Sequence, residues 1–258
     1  MKHLLRSAVF LPSRSTVVLR TLPLIFALAL APSGCSVIAV QQTKRAPAVA
    51  PTPTAQPTPS PTIDDRIDRA TSEPYTGDLS IFEAPDRAEK LQIERVMDVL
   101  GIREGSGVAD IGAGSGWFTV RAARRAGARG TVYAVEINRD YLKHIEERAT
   151  KEKLPNIETV LGREDDPALP EKSVDAVLLL KTYHEIAQPV RLLSNLRRSL
   201  REGARVGIID RNGKGDDHGA DRALVIKEAE RAGYALVEEH DFVKPDDMDY
   251  FLVFRARN

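Results

Sequence analysis

The chain has 258 residues with 37 basic and 37 acidic side chains, so its formal net charge is zero. Residues 1–63 hold six Lys or Arg and no acid, which leaves residues 64–258 with 31 basic and 37 acidic side chains and a net charge of −6. This acidic balance argues against a nucleic-acid-binding module, which needs a basic face. The single cysteine excludes a disulfide framework and a thiolate zinc site.

The first 34 residues have the pattern of a secretory signal peptide. A basic segment precedes the apolar run 22–31, which at about 1.5 Å per residue is too short to cross a hydrocarbon core of about 30 Å. Residues 32–35 (Pro-Ser-Gly-Cys) resemble the lipobox of bacterial lipoproteins, although Pro32 stands where an aliphatic residue is usual. The resemblance implies acylation of Cys35 and an exported protein anchored to a membrane on its periplasmic or outer-membrane face. A cytoplasmic location is the alternative.

Residues 35–63 are predicted to be a linker. The part from 41 to 62 contains six prolines separated mainly by Thr and Ala. This composition favours an extended, polyproline-like chain over a packed core. Such a spacer would hold a domain at 64–258 away from its anchor, although a tail without a spacing role has the same composition.

From residue 64 onward the sequence alternates between helical and strand periodicity. The predicted helices cover 84–100, 117–125, 140–153, 189–200 and 221–232. The predicted strands lie within 105–112 and at 131–136, 157–161, 174–180, 205–210, 235–241 and 249–256. The alternation predicts an α/β, doubly wound, seven-stranded sheet that is mostly parallel. The last two strands are too close together for a parallel crossover, so they should form an antiparallel pair at one edge.

Three glycines at alternate positions, Gly112, Gly114 and Gly116, connect the first strand to the next helix. Without β-carbons the backbone can turn sharply and approach a ligand closely, and the helix supplies free N–H groups. A dinucleotide-binding fingerprint needs a small residue where this chain has Trp117, which opposes a nicotinamide-dependent oxidoreductase. Together with Asp110 at the strand end, the pattern resembles motif I of class I S-adenosylmethionine-dependent methyltransferases.

The resemblance extends over about residues 80–256 and implies a Rossmann-like domain that binds S-adenosyl-L-methionine and no metal. The cofactor-binding residues that it implies are Asp110, Gly112, Ala113, Gly114, Gly116, Glu136, Ile137, Glu164, Asp165 and Lys181. Glu136 ends the second strand, where a carboxylate can accept both hydroxyls of a ribose. Glu164 or Asp165 would meet the adenine amino group. For each of these acids, a solvated surface role is the alternative.

The fourth predicted strand runs into residues 181–185 (Lys-Thr-Tyr-His-Glu), at the edge where open α/β sheets bind ligands. His184 is the candidate general base, because an imidazole can take a proton near neutral pH. Tyr183 beside it is also predicted to be catalytic. The alternative, that His184 only shapes the pocket, is equally open. His218 could line the acceptor side of the site. Some related enzymes that methylate amide or base nitrogens have Asn-Pro-Pro-Tyr or Asp-Pro-Pro-Tyr after the fourth strand, and this chain has neither sequence there.

These features favour a methyltransferase that transfers a methyl group from S-adenosylmethionine to a small-molecule acceptor, without a nucleic-acid partner. The predicted export conflicts with this function, since S-adenosylmethionine is made in the cytosol. The alternative hypothesis is therefore a membrane-tethered, non-catalytic protein that binds an adenosyl or nucleoside ligand. The pattern predicts no particular acceptor and no oligomeric state.

Overall fold

The computed structural model describes Asp65 and residues 67–257, so the predictions for the signal segment 1–34 and the linker 35–63 lie outside the described residues. The strands are β1 (Gly107–Ile111), β2 (Thr131–Glu136), β3 (Ile157–Leu161), β4 (Val174–Leu180), β5 (Leu200–Asp210), β6 (Tyr234–His240) and β7 (Tyr250–Ala256). The α-helices of the described part are α1 (Arg87–Lys90), α2 (Ile93–Leu100), α3 (Trp117–Ala126), α4 (Arg139–Glu152), α5 (Pro189–Leu196) and α6 (Arg222–Arg231).

The strands form one sheet in the order β3-β2-β1-β4-β5-β7-β6. Strands β1 to β5 pair in parallel, whereas β7 pairs antiparallel with both β5 and β6. The predicted α/β sheet, mostly parallel with an antiparallel C-terminal pair, is therefore confirmed. The last strand lies inside the sheet because its apolar run from Tyr250 to Phe254 is buried throughout, while β6 carries exposed positions such as Glu239 and suits the edge.

Two hydrophobic clusters cover the two faces of the sheet. Neighbouring residues of β4 point to opposite sides: Leu178 belongs to the cluster that includes side chains of α2 and α3, and Leu179 to the cluster that includes α5 and α6. Both leucines are fully buried. The nearly continuous apolar sequence of β4 is thus explained by its burial on both faces.

Several predicted boundaries are wrong. The predicted helix 189–200, for example, ends at Leu196 as α5. The predicted helix 84–100 is interrupted, because Gln92 has a left-handed backbone conformation (φ 52°) between α1 and α2. The Gln92 side-chain amide donates to the carbonyl oxygen of Phe242 at 3.0 Å, a long-range contact that local periodicity cannot reveal. The fifth strand begins at Leu200 and not at 205, because Leu200 pairs with Val174 at the start of β4, before a shift in register. Within the described residues, no helix is both long and apolar enough to cross a membrane.

The residues that precede the helices, here called the N-terminal segment (69–77), are anchored to the domain by a buried ion pair. Arg69 Nε lies 3.2 Å from Glu228 Oε1 on α6, and the two side chains are 1% and 3% exposed. The Tyr183 hydroxyl donates to the other oxygen of Glu228 at 2.9 Å, and Arg69 Nη2 donates to the Tyr183 carbonyl at 3.3 Å. All partners in this cluster are therefore hydrogen-bonded, as buried charges require.

Beyond Arg69, the N-terminal segment continues against the loops that follow β4 and β5. The Ser72 N–H donates to the carbonyl oxygen of His184 at 3.1 Å, and the Ser72 hydroxyl donates to the carbonyl oxygen of Gly215 at 2.6 Å. At the end of the segment, the Tyr141 hydroxyl donates to the carbonyl oxygen of Gly77 at 3.0 Å. These bonds hold the N-terminal segment close to the carboxyl ends of the parallel strands.

Replacing the buried guanidinium of Arg69 should lower the stability of the fold. Arg69→Met keeps much of the side-chain volume but leaves the charge of Glu228 buried without its partner, so we expect the free energy of unfolding to fall by about 3–5 kcal/mol. The matched control is Lys227→Ala, which breaks an ion pair with Asp68 between the same helix and the same end of the chain. Those side chains are 61% and 66% exposed, and the loss should stay below about 1 kcal/mol. Urea denaturation of the full chain measures both, and equal losses would contradict the buried anchor.

Candidate active site

A cavity of about 800 Å³ opens at the carboxyl ends of β1, β2 and β4, where Ile111, Glu136 and Leu180 line it. This is the edge at which open α/β sheets bind ligands, and the volume lies within the range of about 300–1,000 Å³ found for small-molecule sites. Residues 71–76 of the N-terminal segment also line the cavity. The segment that the fold anchors through Arg69 therefore forms one wall of the site.

Most residues predicted from sequence meet in this cavity. Those that line it are Asp110, Gly112, Ala113, Gly114, Glu136, Ile137, Glu164, Lys181 and His184. Three predicted residues, Gly116, Asp165 and Tyr183, are not among the lining residues. Within residues 67–257, no group of three or more His, Cys, Asp or Glu side chains is placed to hold a metal ion.

The glycine loop between β1 and α3 depends on missing β-carbons. Gly112, Gly114 and Gly116 all have left-handed backbones, with φ of 73°, 53° and 74°. The N–H groups of Gly112 and Ala113 both donate to the carbonyl oxygen of Val135 on β2, at 2.9 and 3.1 Å. A β-carbon on Gly112 would lie 2.3 Å from Thr182 Oγ1. The loop is therefore in close contact with the end of β2 and with Thr182 just after β4.

Gly116 has a packing role and does not line the cavity. It is the residue immediately before α3, and a β-carbon there would lie 3.1 Å from Ile145 Cγ1 on α4. The glycine therefore lets the start of α3 approach α4 closely. Its contact with a cofactor stays a prediction.

Glu136 presents a fixed carboxylate to the cavity. Its side chain accepts backbone N–H bonds from Gly114 at 3.0 Å, from Ile137 at 2.7 Å and from Asn138 at 3.1 Å, and the residue is 9% exposed. A carboxylate offers about four lone-pair sites, so three of them are already used. The bond from Gly114 ties the glycine loop to the end of β2, and a ligand hydroxyl at Glu136 would have to share or replace it.

Asp110 lies deeper than Glu136, at the end of β1. It is buried, and one carboxyl oxygen accepts the Thr119 hydroxyl of α3 at 2.6 Å. The pKa of the Asp110 carboxyl is raised to about 7, mainly by burial and also by the nearby Glu136, while the Thr119 hydrogen bond opposes both effects. The carboxyl group is therefore poised to change its charge near neutral pH.

Trp117 occupies the position at which a dinucleotide site has a small residue. Its buried ring is flanked by the guanidinium groups of Arg87 and Arg121, whose central carbons lie 4.5 and 3.8 Å from the ring centroid. Cation–π contacts of this kind stabilise a buried indole. Arg87 also lines the cavity and donates to the carbonyl oxygen of Phe82 at 3.0 Å. The sequence analysis did not identify Arg87, since the tertiary structure alone brings α1 to the site.

Of the two acids predicted to meet an adenine amino group, only Glu164 lines the cavity. Glu164 is also exposed. The carboxylate of Asp165 lies 3.7 Å from Arg163 Nε, and its carbonyl oxygen accepts the Asn195 side chain at 2.8 Å. Asp165 thus contacts α5 and its own loop, and its contact with a cofactor stays a prediction.

Tyr183, which the sequence predicts to be catalytic, does not line the cavity. Its ring is fully buried in the cluster beneath α5 and α6, and its hydroxyl donates to Glu228 at 2.9 Å. Burial, together with the Glu228 charge, raises the pKa of the Tyr183 phenol well above its ordinary value. The phenol therefore anchors the N-terminal segment and faces away from the cavity chemistry.

His184 lines the cavity, and a buried carboxylate holds its ring at Nδ1. Its Nδ1 lies 2.9 and 3.0 Å from the two carboxyl oxygens of Asp210, the last residue of β5. Its Nε2 lies 3.8 Å from Glu185 Oε1, and Glu185 also lines the cavity. The pKa of Glu185 is raised to about 7, mainly by burial and also by the charges of Glu136 and Asp210, while the neighbouring His184 opposes the rise.

Asp210 and Glu185 were missed by the sequence analysis. One available signal was the position of Asp210 at the end of the fifth strand, because the carboxyl ends of neighbouring parallel strands meet at one edge of the sheet. In the structure β5 pairs with β4, so Asp210 lies beside the segment that carries His184. Residue type alone could not separate Asp210 from the other strand-end acids.

The comparisons with known proteins agree with this geometry. Residues 109–208 match a protein-family profile described as a methyltransferase domain. A SAM-dependent methyltransferase from Aquifex aeolicus shares the fold with a TM-score of 0.61 and 26% sequence identity, over 70% of this chain and 98% of that one. These likenesses support a methyltransferase domain on a class I methyltransferase fold.

Two curated relatives are similar over part of their length. The 2-phytyl-1,4-naphtoquinone methyltransferase of Trichormus variabilis is 30% identical over 111 residues, 43% of this chain and 48% of the relative. The nocamycin O-methyltransferase of Saccharothrix syringae is 28% identical over 114 residues, 44% of this chain and 41% of the relative. The chain therefore spans about half the length of the curated relatives it matches.

The glycine loop can be tested with a pair of glycine-to-alanine variants. Gly101 and Gly112 have the same φ of 73°, but a β-carbon on Gly101 would meet nothing within 4 Å. Gly101→Ala should therefore cost only the left-handed backbone penalty of about 1–2 kcal/mol. Gly112→Ala should cost about 1–3 kcal/mol more, because its β-carbon also collides with Thr182. Equal unfolding free energies of the two variants in urea would show that the close approach to β4 is unimportant.

Proposed function

We propose that this chain, with its methyltransferase domain at residues 109–208, is an S-adenosyl-L-methionine-dependent methyltransferase that acts on a small-molecule acceptor. The observation that carries the proposal is the carboxylate of Glu136, held by three backbone N–H groups beside the glycine loop at the mouth of a cavity. A carboxylate oriented in this way suits the hydroxyls of a ribose.

The lining residues fit an adenosyl cofactor. The backbone at Gly112 to Gly114 can approach a ligand closely, since two of these residues lack a β-carbon. Glu136 would bind the ribose, and Glu164 would face the adenine amino group by the resemblance to the family. Ile137 is 43% exposed and lines the cavity, so it offers apolar surface to an adenine ring. When bound, S-adenosylmethionine supplies an electrophilic methyl group on a sulfonium, with a neutral thioether as the leaving group.

The cavity also has room and surface for an acceptor. It extends from the glycine loop to His184 and His218, and the apolar side chains of Ile81 and Phe82 line it as well. The name of the Trichormus variabilis relative denotes a phytyl-substituted naphthoquinone as its acceptor. Together with the net charge of −6 on residues 64–258, this supports a small, partly apolar acceptor over a nucleic acid.

The non-catalytic binding protein is the weaker hypothesis. A protein that only holds an adenosyl or nucleoside ligand has no need of an oriented base in its cavity. His184, however, lines the cavity with its Nδ1 held 2.9 Å from a fully buried carboxylate oxygen of Asp210. This arrangement favours the enzyme.

Calorimetric titration of the full chain with S-adenosylmethionine, S-adenosylhomocysteine and NAD tests the proposed cofactor. We expect binding of both adenosyl ligands and none of NAD. Glu136→Ala should weaken adenosyl binding by on the order of 1–3 kcal/mol, since it removes charge-assisted hydrogen bonds. Glu158→Ala, which removes an exposed carboxylate from the neighbouring strand β3, should leave the affinity unchanged. A folded protein that binds neither adenosyl ligand would overturn the proposal.

We also propose that the protein is exported and anchored through Cys35, on the support of the signal-like residues 1–34 alone. The substitution Cys35→Ser removes the only thiol that a lipid could modify. The variant should leave the membrane fraction or retain its leader, as judged by fractionation and the mass of the mature chain. A wild-type chain that keeps its leader and remains in the cytosolic fraction would contradict the anchor.

A further inference from the structure

We propose that Asp210 is the positioning residue of a general base, and that the His184–Asp210 pair accepts the proton of a weakly acidic hydroxyl group on the acceptor. This inference rests on the proposed methyltransferase function and specifies the acceptor of the same site. It follows from which ring nitrogen Asp210 holds and from which groups surround the ring.

Asp210 determines the tautomer of His184. Both carboxyl oxygens lie within 3.0 Å of Nδ1, and Oδ2 also accepts the backbone N–H of His184 at 3.1 Å. Oδ1 accepts the backbone N–H of Arg211 at 2.9 Å, so the carboxylate cannot swing away without losing two backbone bonds. An ionised carboxylate only accepts hydrogen bonds, so Nδ1 must carry the proton. The lone pair of the neutral ring is therefore on Nε2.

The groups around the ring stabilise the imidazolium that forms when Nε2 takes up a proton. The charged or titratable groups around His184 come from four parts of the chain: Asp210 at Nδ1, Glu185 at 3.8 Å from Nε2, His218 with its ring centroid at 5.8 Å, and Arg69, whose Nη1 lies 3.5 Å from the His184 carbonyl oxygen. The guanidinium contacts only the backbone of His184 and not its ring. The ionised carboxylate of Asp210 at Nδ1 stabilises an imidazolium at this position.

The need for a base identifies the class of acceptor. A neutral amine has a free lone pair and can attack without losing its proton first, whereas a hydroxyl becomes a good nucleophile only as it loses its proton. In the proposed step, His184 Nε2 takes the hydroxyl proton while the acceptor oxygen forms its bond to the methyl carbon. The carbon–sulfur bond breaks, and its electron pair stays on the thioether. The products are a methyl ether, S-adenosylhomocysteine and an imidazolium paired with Asp210.

The positioning role can be measured without knowing the natural acceptor. In the full chain labelled with ¹⁵N-histidine, long-range ¹H–¹⁵N spectra should show His184 as the Nδ1–H tautomer. In Asp210→Asn, the Nδ1–H tautomer should lose its dominance, because an amide can donate a proton to Nδ1 as well as accept one from it. The control is Asp249→Asn, an exposed carboxylate bonded to the backbone N–H of Asn212 at 2.8 Å. It should leave the His184 tautomer unchanged.

The acceptor class is tested with simple probes. Wild-type protein supplied with S-adenosylmethionine should methylate catechol or 1-naphthol on oxygen in preference to aniline on nitrogen, and Asp210→Asn should lower that rate by about 10²–10⁴-fold. An unchanged His184 tautomer in Asp210→Asn overturns the positioning role, even if adenosyl ligands bind. Methylation of aniline alone, or of no probe, overturns the hydroxyl assignment. Failure of the wild-type protein to bind S-adenosylhomocysteine would instead overturn the proposed function, so the two failures are distinguishable.

Discussion

The site depends on one close approach, that of the Gly112 backbone to Thr182 at the end of β4. Only a residue without a β-carbon can adopt the left-handed φ of 73° there and leave room for the threonine side chain. The same loop is bonded to β2 through Val135 and through Glu136. Three neighbouring strands are therefore drawn together at their carboxyl ends, and the cavity is the space that their loops enclose.

A second constraint is the burial of charge around that cavity. Asp110 and Glu185 both have a pKa raised to about 7 by burial, so each favours its protonated form in the folded chain. The stability that this protonation contributes is present below about pH 4 and is lost as the pH rises through about 7. A cation bound in the cavity, such as the proposed sulfonium, would favour the ionised carboxylates instead.

The N-terminal segment connects this chemistry to the rest of the fold. Arg69 ties it to α6 through Glu228, and Ser72 ties it to the backbone of His184. Because the same histidine is held by Asp210 from β5, its position depends on contacts between parts of the chain that are far apart in sequence. A change in the anchoring of the segment would reach the candidate base through the hydrogen bonds that Arg69 and Ser72 donate to the His184 carbonyl oxygen.

The sequence by itself determined the sheet class, most strand positions and the residues of the glycine loop with Glu136, because periodicity and strand-end position are local properties. It could not separate Tyr183 from His184, since adjacent residues in a short turn point in different directions and only packing decides which one reaches the cavity. It also could not reveal Asp210 or Arg87, whose roles depend on strand order and on where α1 packs. Only the tertiary structure decides which of these side chains reach the site, because their positions depend on contacts between residues that are distant in the chain. No local sequence pattern encodes such contacts.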